Sequence, residues 1–350
     1  MKSISTRTRV SFLLDLLSYA RPSGSTTELA FRERFIEGIP GAYLDAFRNI
    51  HVAVGESRTL FSCHTDTATR HEGRQTLTYR GGTVGLSKHA KRSGFTCLGA
   101  DDTAGVFVML EMIGARVPGH YIFHHAEECG GIGSSNLAEF DNEWLSASFD
   151  HAVAFDRRGT TDVITHQGLR CCSDTFAQAL VTQLNLANAT FGYAPSPYGV
   201  FTDTANYADI IPECTNLSVG YYREHTNAET LDVDHVLALS DAAQQIDWAT
   251  LPVDRDPVAE HAEHMAQWTR NNVRTPENHE RSIVIDMSEY LADDDYVEVS
   301  PRSYALDPEW EEVQRSLDRM ERELNARINA TKRNRKTLTC SLDESKSTKA

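Results

Sequence analysis

The chain has 350 residues, of which 40% are hydrophobic and 24% charged, a composition typical of a soluble globular protein. Its 34 basic and 50 acidic side chains give a formal net charge of −16 at pH 7, which argues against nucleic-acid binding through the overall field. No run of 18 apolar residues is present, so we expect no contact with a membrane. The short apolar stretch 10–17, interrupted by Asp15, does not fit a signal peptide, and we expect a cytoplasmic protein.

The first 250 residues alternate between helix-like and strand-like segments, as an α/β domain does. Helices are predicted at residues 11–19, 26–38, 102–114, 134–140, 174–186 and 233–246. Strands are predicted at residues 58–63, 121–125, 151–155 and 215–220. We therefore predict, for residues 1–250, a mixed and mostly parallel central sheet flanked by helices.

The chain changes character after residue 250. Residues 251–300 carry 12 acidic and 4 basic side chains, and we interpret residues 251–305 as an acidic linker that is partly disordered. Residues 306–336 are predicted to form an amphipathic helix, with Asp307 as N-cap and Pro308 at the first helical position. That helix could dock on the domain or pair with a partner, including a second copy of the chain. Residues 337–350 are predicted to be a disordered tail.

Five metal-binding side chains lie at or just beyond predicted strand ends, or at the start of the helix that follows. Since the carboxyl ends of parallel strands share one edge of a sheet, these residues can converge although they are far apart in the chain. Two imidazoles and three carboxylates suit a pair of divalent ions, most simply Zn²⁺, with Mn²⁺ or Co²⁺ also suitable. The five candidates are His64, Asp101, Glu128, Asp156 and His225.

Three further acidic residues stand beside these candidates. In the pair Glu127-Glu128, one carboxylate can bind metal while the other faces a bridging water and carries its proton to a leaving amine. Asp66 can accept a hydrogen bond from the second nitrogen of His64 and so fix its orientation. Asp102 could be a further ligand or the N-cap of the helix that follows it, and we favour the N-cap.

The motifs that carry these residues, in this order, resemble those of the dinuclear zinc exopeptidases, which include leucyl and glutamyl aminopeptidases and peptidase T. They are HTD (64–66), GADDTAG (99–105), HAEECGGIGSS (125–135), FDRRG (155–159) and YYREH (221–225). The resemblance spans residues 10–250 and implies a zinc-aminopeptidase-like fold.

Carried over motif by motif, the resemblance also implies a role for each residue. Asp101 would bridge the two metals; His64 and Asp156 would bind one of them, and Glu128 and His225 the other. Glu127 would be the general base, and Asp66 would orient His64. The carboxypeptidase and peptidase T branch inserts a lid of about a hundred residues between the last two ligands. Only 69 residues separate Asp156 from His225, which favours the single-domain aminopeptidase branch.

Five residues are candidates for substrate binding. Asp203 could bind a substrate ammonium, and Tyr207 or Tyr222 could donate a hydrogen bond to the oxyanion. For the segment around Asp203, a turn with local hydrogen bonds is the alternative. Arg158 and Arg223 could bind a carboxylate, or they could be solvated or paired with Glu224 and Asp162.

The sequence therefore predicts a metal-dependent exopeptidase, most simply an aminopeptidase that acts on peptides. Two alternatives stay open: an amidohydrolase that removes the acyl group from an N-acyl amino acid, and a non-catalytic binding module with the same fold.

Overall fold

The computed structural model describes residues 5–260 and 262–263. The predicted helix 306–336, the tail 337–350 and nearly all of the linker 251–305 lie outside the described residues. The helices are α1 (Thr6–Leu17), α2 (Thr26–Phe35), α3 (Lys88–Arg92), α4 (Ala100–Gly114), α5 (Ile132–Phe140), α6 (Asn142–Ser148), α7 (Asp174–Ala187) and α8 (Val233–Ala243).

The strands are short, and half of them join one central sheet. In chain order they are β1 (Tyr19–Ala20), β2 (Tyr43–Leu44), β3 (Ile50–Val54), β4 (Thr59–His64), β5 (Gly73–Arg74), β6 (Leu77–Arg80), β7 (Thr83–Leu86), β8 (Gly119–His124), β9 (His151–Arg157), β10 (Asp162–Ile164), β11 (His166–Gln167), β12 (Leu169–Arg170), β13 (Ala194–Ser196), β14 (Glu213–Ser218), β15 (Tyr221–Tyr222) and β16 (Thr230–Asp232).

The central sheet has eight strands in the order β13-β10-β14-β9-β4-β8-β3-β2. Its middle four strands, β14, β9, β4 and β8, run parallel to one another, and antiparallel strands extend the sheet on both sides. All residues of β4 and β9 are buried, as expected for parallel strands that are covered on both faces. The sheet is mixed with a parallel centre, as predicted, and its carboxyl ends meet at one edge.

Apolar side chains leave both faces of this sheet. Phe61 joins the larger core cluster, which includes Phe107 of α4 and Val236 of α8. Its neighbour Leu60 points to the opposite face and joins a smaller cluster with Leu137 of α5. A sheet between two helical layers therefore holds its strand ends in fixed positions.

The helices and strands predicted for residues 1–250 are present, with shifted ends. The first helix begins at Thr6 instead of residue 11, because Ser5 caps it by accepting a hydrogen bond from the Thr8 amide. The second helix ends at Phe35 rather than residue 38. Strand β3 and the four-stranded antiparallel sheet β15-β16-β7-β6 were not predicted, since their short strands mix polar and apolar residues.

The folded domain continues beyond residue 250. Leu251 is buried, and Arg255 donates hydrogen bonds to the carbonyl oxygens of Cys171 and Pro212. The first residues of the predicted linker therefore pack against the domain. Among the described residues, no helix combines the length and apolar character needed to cross a membrane.

Candidate metal centre

The parallel strands bring the predicted ligands to one edge of the sheet. His64 is the last residue of β4, and Asp156 is the last but one of β9. Glu128 lies in a single 3₁₀ turn that follows β8, and Asp101 lies at the start of α4. His225 follows β15 in a loop. His64, Asp156 and Glu128 are therefore positioned by neighbouring parallel strands, whereas Asp101 and His225 are presented by a helix start and by a loop.

The first group of possible metal ligands consists of His64, Asp101 and Asp156. One donor atom from each residue lies within 4.8 Å of the other two. The Nε2 atom of His64 is 3.0 Å from Oδ1 of Asp101 and 3.7 Å from Oδ1 of Asp156. All three side chains are buried.

The second group consists of Asp101, Glu128 and His225, again within 4.8 Å of one another. The Nε2 atom of His225 lies 3.1 Å from Oδ2 of Asp101 and 3.1 Å from Oε2 of Glu128. The imidazole of His225 is about half exposed, so this group lies closer to solvent than the first.

Asp101 belongs to both groups, and its two oxygens face different imidazoles. This is the geometry expected of a carboxylate that bridges two metal ions. Oε1 of Glu128 is buried without a hydrogen-bond partner among the described residues, so it is available to a cation. Imidazole nitrogens and carboxylate oxygens suit Zn²⁺ or Mn²⁺. The residues present therefore fit two divalent ions.

The orientation of His64 is set by its other nitrogen. Nδ1 lies 3.1 Å from the main-chain oxygen of Asp66 and 3.4 Å from the Oδ1 atom of the same residue. A carbonyl oxygen can only accept, so Nδ1 carries the hydrogen and Nε2 is left as a donor atom for metal. Oδ1 of Asp66 also accepts a hydrogen bond from the Glu127 amide at 3.1 Å. Asp66 thus links the loops that carry His64 and Glu127.

Glu127 lies beside the two groups without belonging to either. Its Oε2 atom is 4.0 Å from Nε2 of His64. Burial raises the pKa of Glu127 to about 9; the charge of His64 opposes this shift and that of Asp156 adds to it. Without a cation this carboxyl group is therefore protonated near neutral pH. The positive charge of metal ions bound beside it would lower its pKa, which a general base needs in order to accept and release a proton.

The ligands themselves also have displaced pKa values. Hydrogen bonds from His225 to Asp101 and Glu128 raise the pKa of the imidazole to about 11. Burial raises the pKa of Asp156 to about 6, and the negative charge of Asp101 adds to the shift. Repulsion among these closely placed carboxylates is what bound cations would relieve.

Glu229, which the sequence analysis did not identify, fixes the loop that presents Asp101. Its side chain is buried, and its Oε2 accepts hydrogen bonds from the amides of Leu98 and Gly99 at 2.8 and 3.0 Å. Its Oε1 accepts hydrogen bonds from the amides of Ala100 and Asp101 at 2.7 and 3.1 Å. One carboxylate therefore holds four consecutive backbone amides.

Other side chains position the ligands around Asp101. Asp102 accepts a hydrogen bond from the Gly105 amide at 3.0 Å, which is the capping role predicted for it, and another from the His64 amide at 3.2 Å. Thr202 donates to Oδ2 of Asp156 at 2.6 Å, and the Tyr221 hydroxyl lies 3.2 Å from Oδ1 of the same carboxylate. The sequence analysis did not assign Thr202 or Tyr221 a role.

Neither tyrosine predicted to stabilise an oxyanion lines the cleft above the centre. Tyr207 is fully buried, with its hydroxyl 3.5 Å from Nε2 of His124. Tyr222 is 41% exposed, and its neighbour Tyr221 lines the cleft instead, because successive residues of a strand point to opposite sides. The oxyanion role of Tyr207 and Tyr222 therefore stays a prediction.

The charged substrate candidates have different surroundings. Arg158 lines the cleft and is paired with Glu224, Nη1 to Oε1 at 3.0 Å, whereas Arg223 is exposed and does not line it. Asp203 is buried, and burial raises its pKa to about 8, partly offset by nearby His64 and Ser134. Its carboxylate oxygens make no hydrogen bond of good geometry within the described chain. It does not line the cleft, so contact with a substrate ammonium stays a prediction.

The sequence matches no protein-family model and no curated protein, but solved structures match the fold. An aminopeptidase PepT from Bacillus cereus aligns with 69% of this chain and 97% of its own, at 14% identity and a TM-score of 0.53. A tripeptidase from Staphylococcus aureus aligns with 70% and 98%, at 15% identity and a TM-score of 0.56. An aminopeptidase from the archaeon Desulfurococcus kamchatkensis aligns with 72% and 96%, at 15% identity and 0.51.

The chain has the fold of these peptidases. At identities of 14–15% the likeness establishes the architecture. The chemistry must be inferred from this chain's own residues.

Proposed function

We propose that the protein is a metal-dependent exopeptidase that removes the N-terminal residue of a peptide. The observation that carries the proposal is the position of Asp101, whose two oxygens face two separate imidazoles while Glu127 stands beside them. Two divalent ions bound there would polarise the scissile carbonyl and make a water molecule more acidic. The fold that this chain shares with the peptidases supports the same proposed function.

In this mechanism Glu127 moves the proton. Its carboxylate takes a proton from the attacking water and delivers it to the nitrogen of the leaving amine. Asp66 holds the Glu127 amide and the loop after β4 in place, so the base and His64 keep a fixed separation. Thr202 and Tyr221 hold the Asp156 carboxylate through its two oxygens.

The charges around the cleft favour a substrate with a free amino end. Both arginines that line the described cleft are already paired: Arg158 with Glu224 at 3.0 Å and Arg157 with Asp162 at 3.1 Å. A carboxypeptidase needs a free cation for the substrate carboxylate. The many acidic groups of the centre would instead attract a substrate ammonium.

The proposal is tested by metal content and by a Glu127→Gln variant of the full chain. Elemental analysis should find about two equivalents of zinc, manganese or cobalt in both proteins. Turnover of peptides with a free amine should fall by about 10²–10⁴ in the variant, since only the proton transfer is removed. Glu139→Gln, the same change at an exposed position of α5, is the matched control and should retain full activity.

Three results would contradict this proposal. Absence of metal, even after titration with zinc, would remove the hydrolytic centre. Retained turnover in Glu127→Gln would show that another group transfers the proton. Cleavage confined to N-acetylated substrates would identify an amidohydrolase instead.

A further inference from the structure

The cleft above the candidate metal centre has two walls of different character. Most of the polar side chains that line the cleft already have a partner or a role. Some of them are candidate metal ligands, and Arg158 forms an ion pair with Glu224. Arg157 is bonded to Asp162, and its Nη2 also donates to the main-chain oxygen of Tyr198 at 2.9 Å. The remaining wall is formed by apolar side chains.

Val200 and Phe201 form this apolar wall. Their side chains are 60% and 47% exposed, yet both lie along the same cleft as Glu127. Large apolar side chains that are exposed next to a group of polar catalytic residues are typical of a ligand-binding surface.

The apolar wall is anchored to the centre on both sides. The ring of Phe201 packs against Gly131, so closely that a Cβ atom there would lie 2.6 Å from the Cζ atom of the ring. Gly131 belongs to the loop that follows Glu127 and Glu128. The residue after Phe201, Thr202, donates its hydroxyl hydrogen to Asp156. The wall is thus held at a fixed position relative to the reacting groups.

We propose that Val200 and Phe201 bind the side chain of the substrate's N-terminal residue and make the enzyme selective for large apolar residues there. This inference rests on the proposed exopeptidase function. Leucine or phenylalanine would bury apolar surface against the wall. Glutamate or lysine would lose hydration against Val200 and Phe201, whose side chains offer no hydrogen-bonding group.

The test measures kcat/KM of the zinc-loaded full chain on four tripeptides. Each has leucine, phenylalanine, glutamate or lysine at its free amino end, followed by two alanines. We expect values for leucine and phenylalanine at least about tenfold above those for glutamate and lysine, since an apolar pocket commonly gives discrimination of about 10–200-fold.

Two variants connect the preference to the wall. Val200→Asp and Phe201→Asp should each lower the ratio of leucine to lysine cleavage by about tenfold or more. Val200→Asp is the variant less prone to disturb folding, because Val200 is more exposed than Phe201. Leu186→Asp, on an 80% exposed apolar residue of α7 that does not line the cleft, is the matched control and should leave the ratio unchanged.

The possible results distinguish the apolar selectivity from the exopeptidase function. The expected ratio, lost in Val200→Asp and kept in Leu186→Asp, supports the assignment. Equal cleavage of all four peptides, or an unchanged ratio in Val200→Asp, would overturn the apolar selectivity and leave the exopeptidase function standing. Cleavage of none of the four peptides would overturn the proposed function and this inference together.

Discussion

Replacing Glu229 by glutamine tests how the fold positions Asp101. The carboxylate accepts four amide hydrogen bonds from residues 98–101, over distances of 2.7–3.1 Å. In Glu229→Gln one oxygen can still accept two of these bonds, whereas the new NH₂ group faces the other two donors. About two buried amides therefore lose their acceptor.

The magnitude follows from that count. A buried donor left without a partner costs about 1–3 kcal/mol, so two of them cost about 2–6 kcal/mol. Burial and the negative charge of Asp101 raise the pKa of Glu229 to about 8, so the ionised carboxylate is itself disfavoured here. Removing that charge recovers part of the loss. We therefore expect a destabilisation of about 2–4 kcal/mol, which is the lower part of this range. The melting temperature should fall by about 5–15 °C.

Two assays separate stability from metal binding. Thermal unfolding in excess EDTA reports the stability of the metal-free protein. Competition with a zinc chelator reports affinity, which we expect to fall by about 10–100-fold, as is common when a group that orients a ligand is lost. Glu72→Gln is the matched control: Glu72 accepts hydrogen bonds from the amides of Thr26 and Thr27 on the surface, where water can replace it. Its melting temperature should change far less.

An unchanged melting temperature in EDTA, together with unchanged zinc affinity, would refute the positioning role. A loss of stability with full zinc affinity would show that Glu229 supports the fold without placing Asp101.

Two further predictions concern the metal ions. Glu128→Ala should reduce metal content from about two equivalents to about one, because His64, Asp101 and Asp156 remain; two equivalents by elemental analysis would exclude Glu128 as a ligand. Zinc binding near neutral pH should release protons, because the pKa of metal-free His225 is about 11 and the imidazole must be deprotonated to bind. The binding heat should therefore vary between buffers of different ionisation enthalpy, and a buffer-independent heat would contradict the assignment.

The ligand candidates could be predicted from the sequence because regular structure determines their position. His64 ends β4, Asp156 is the last residue but one of the neighbouring parallel strand β9, and Glu128 follows a third parallel strand. A strand end is recognisable in a sequence, and the parallel arrangement then requires these ends to meet. Asp101 and His225 were placed by the same reasoning, and the structure brings both to the same edge.

The supporting contacts could not be predicted in this way. Glu229 accepts hydrogen bonds from backbone amides about 130 residues earlier in the chain. Because nearly every residue has such an amide, the sequence does not show which ones a side chain will bond. The sequence of a two-residue strand also does not show which of Tyr221 and Tyr222 points toward the cleft. Strand β3 was not predicted because His51 interrupts its short run of apolar residues.

The substrate cleft is harder to predict than the metal centre for a physical reason. Its walls come from the loops around Arg158, Val200 and Glu224, which no repeat period constrains. Whether Arg158 is free to bind a carboxylate depends on Glu224, 66 residues away, and only the folded chain shows that the two are paired. Pairing leaves less positive charge to select an acidic or C-terminal group, and the wall formed by Val200 and Phe201 is apolar. The proposed substrate selectivity therefore depends on how the loops of the cleft pack. The proposed hydrolysis depends instead on the candidate ligands, most of which are placed by strand ends.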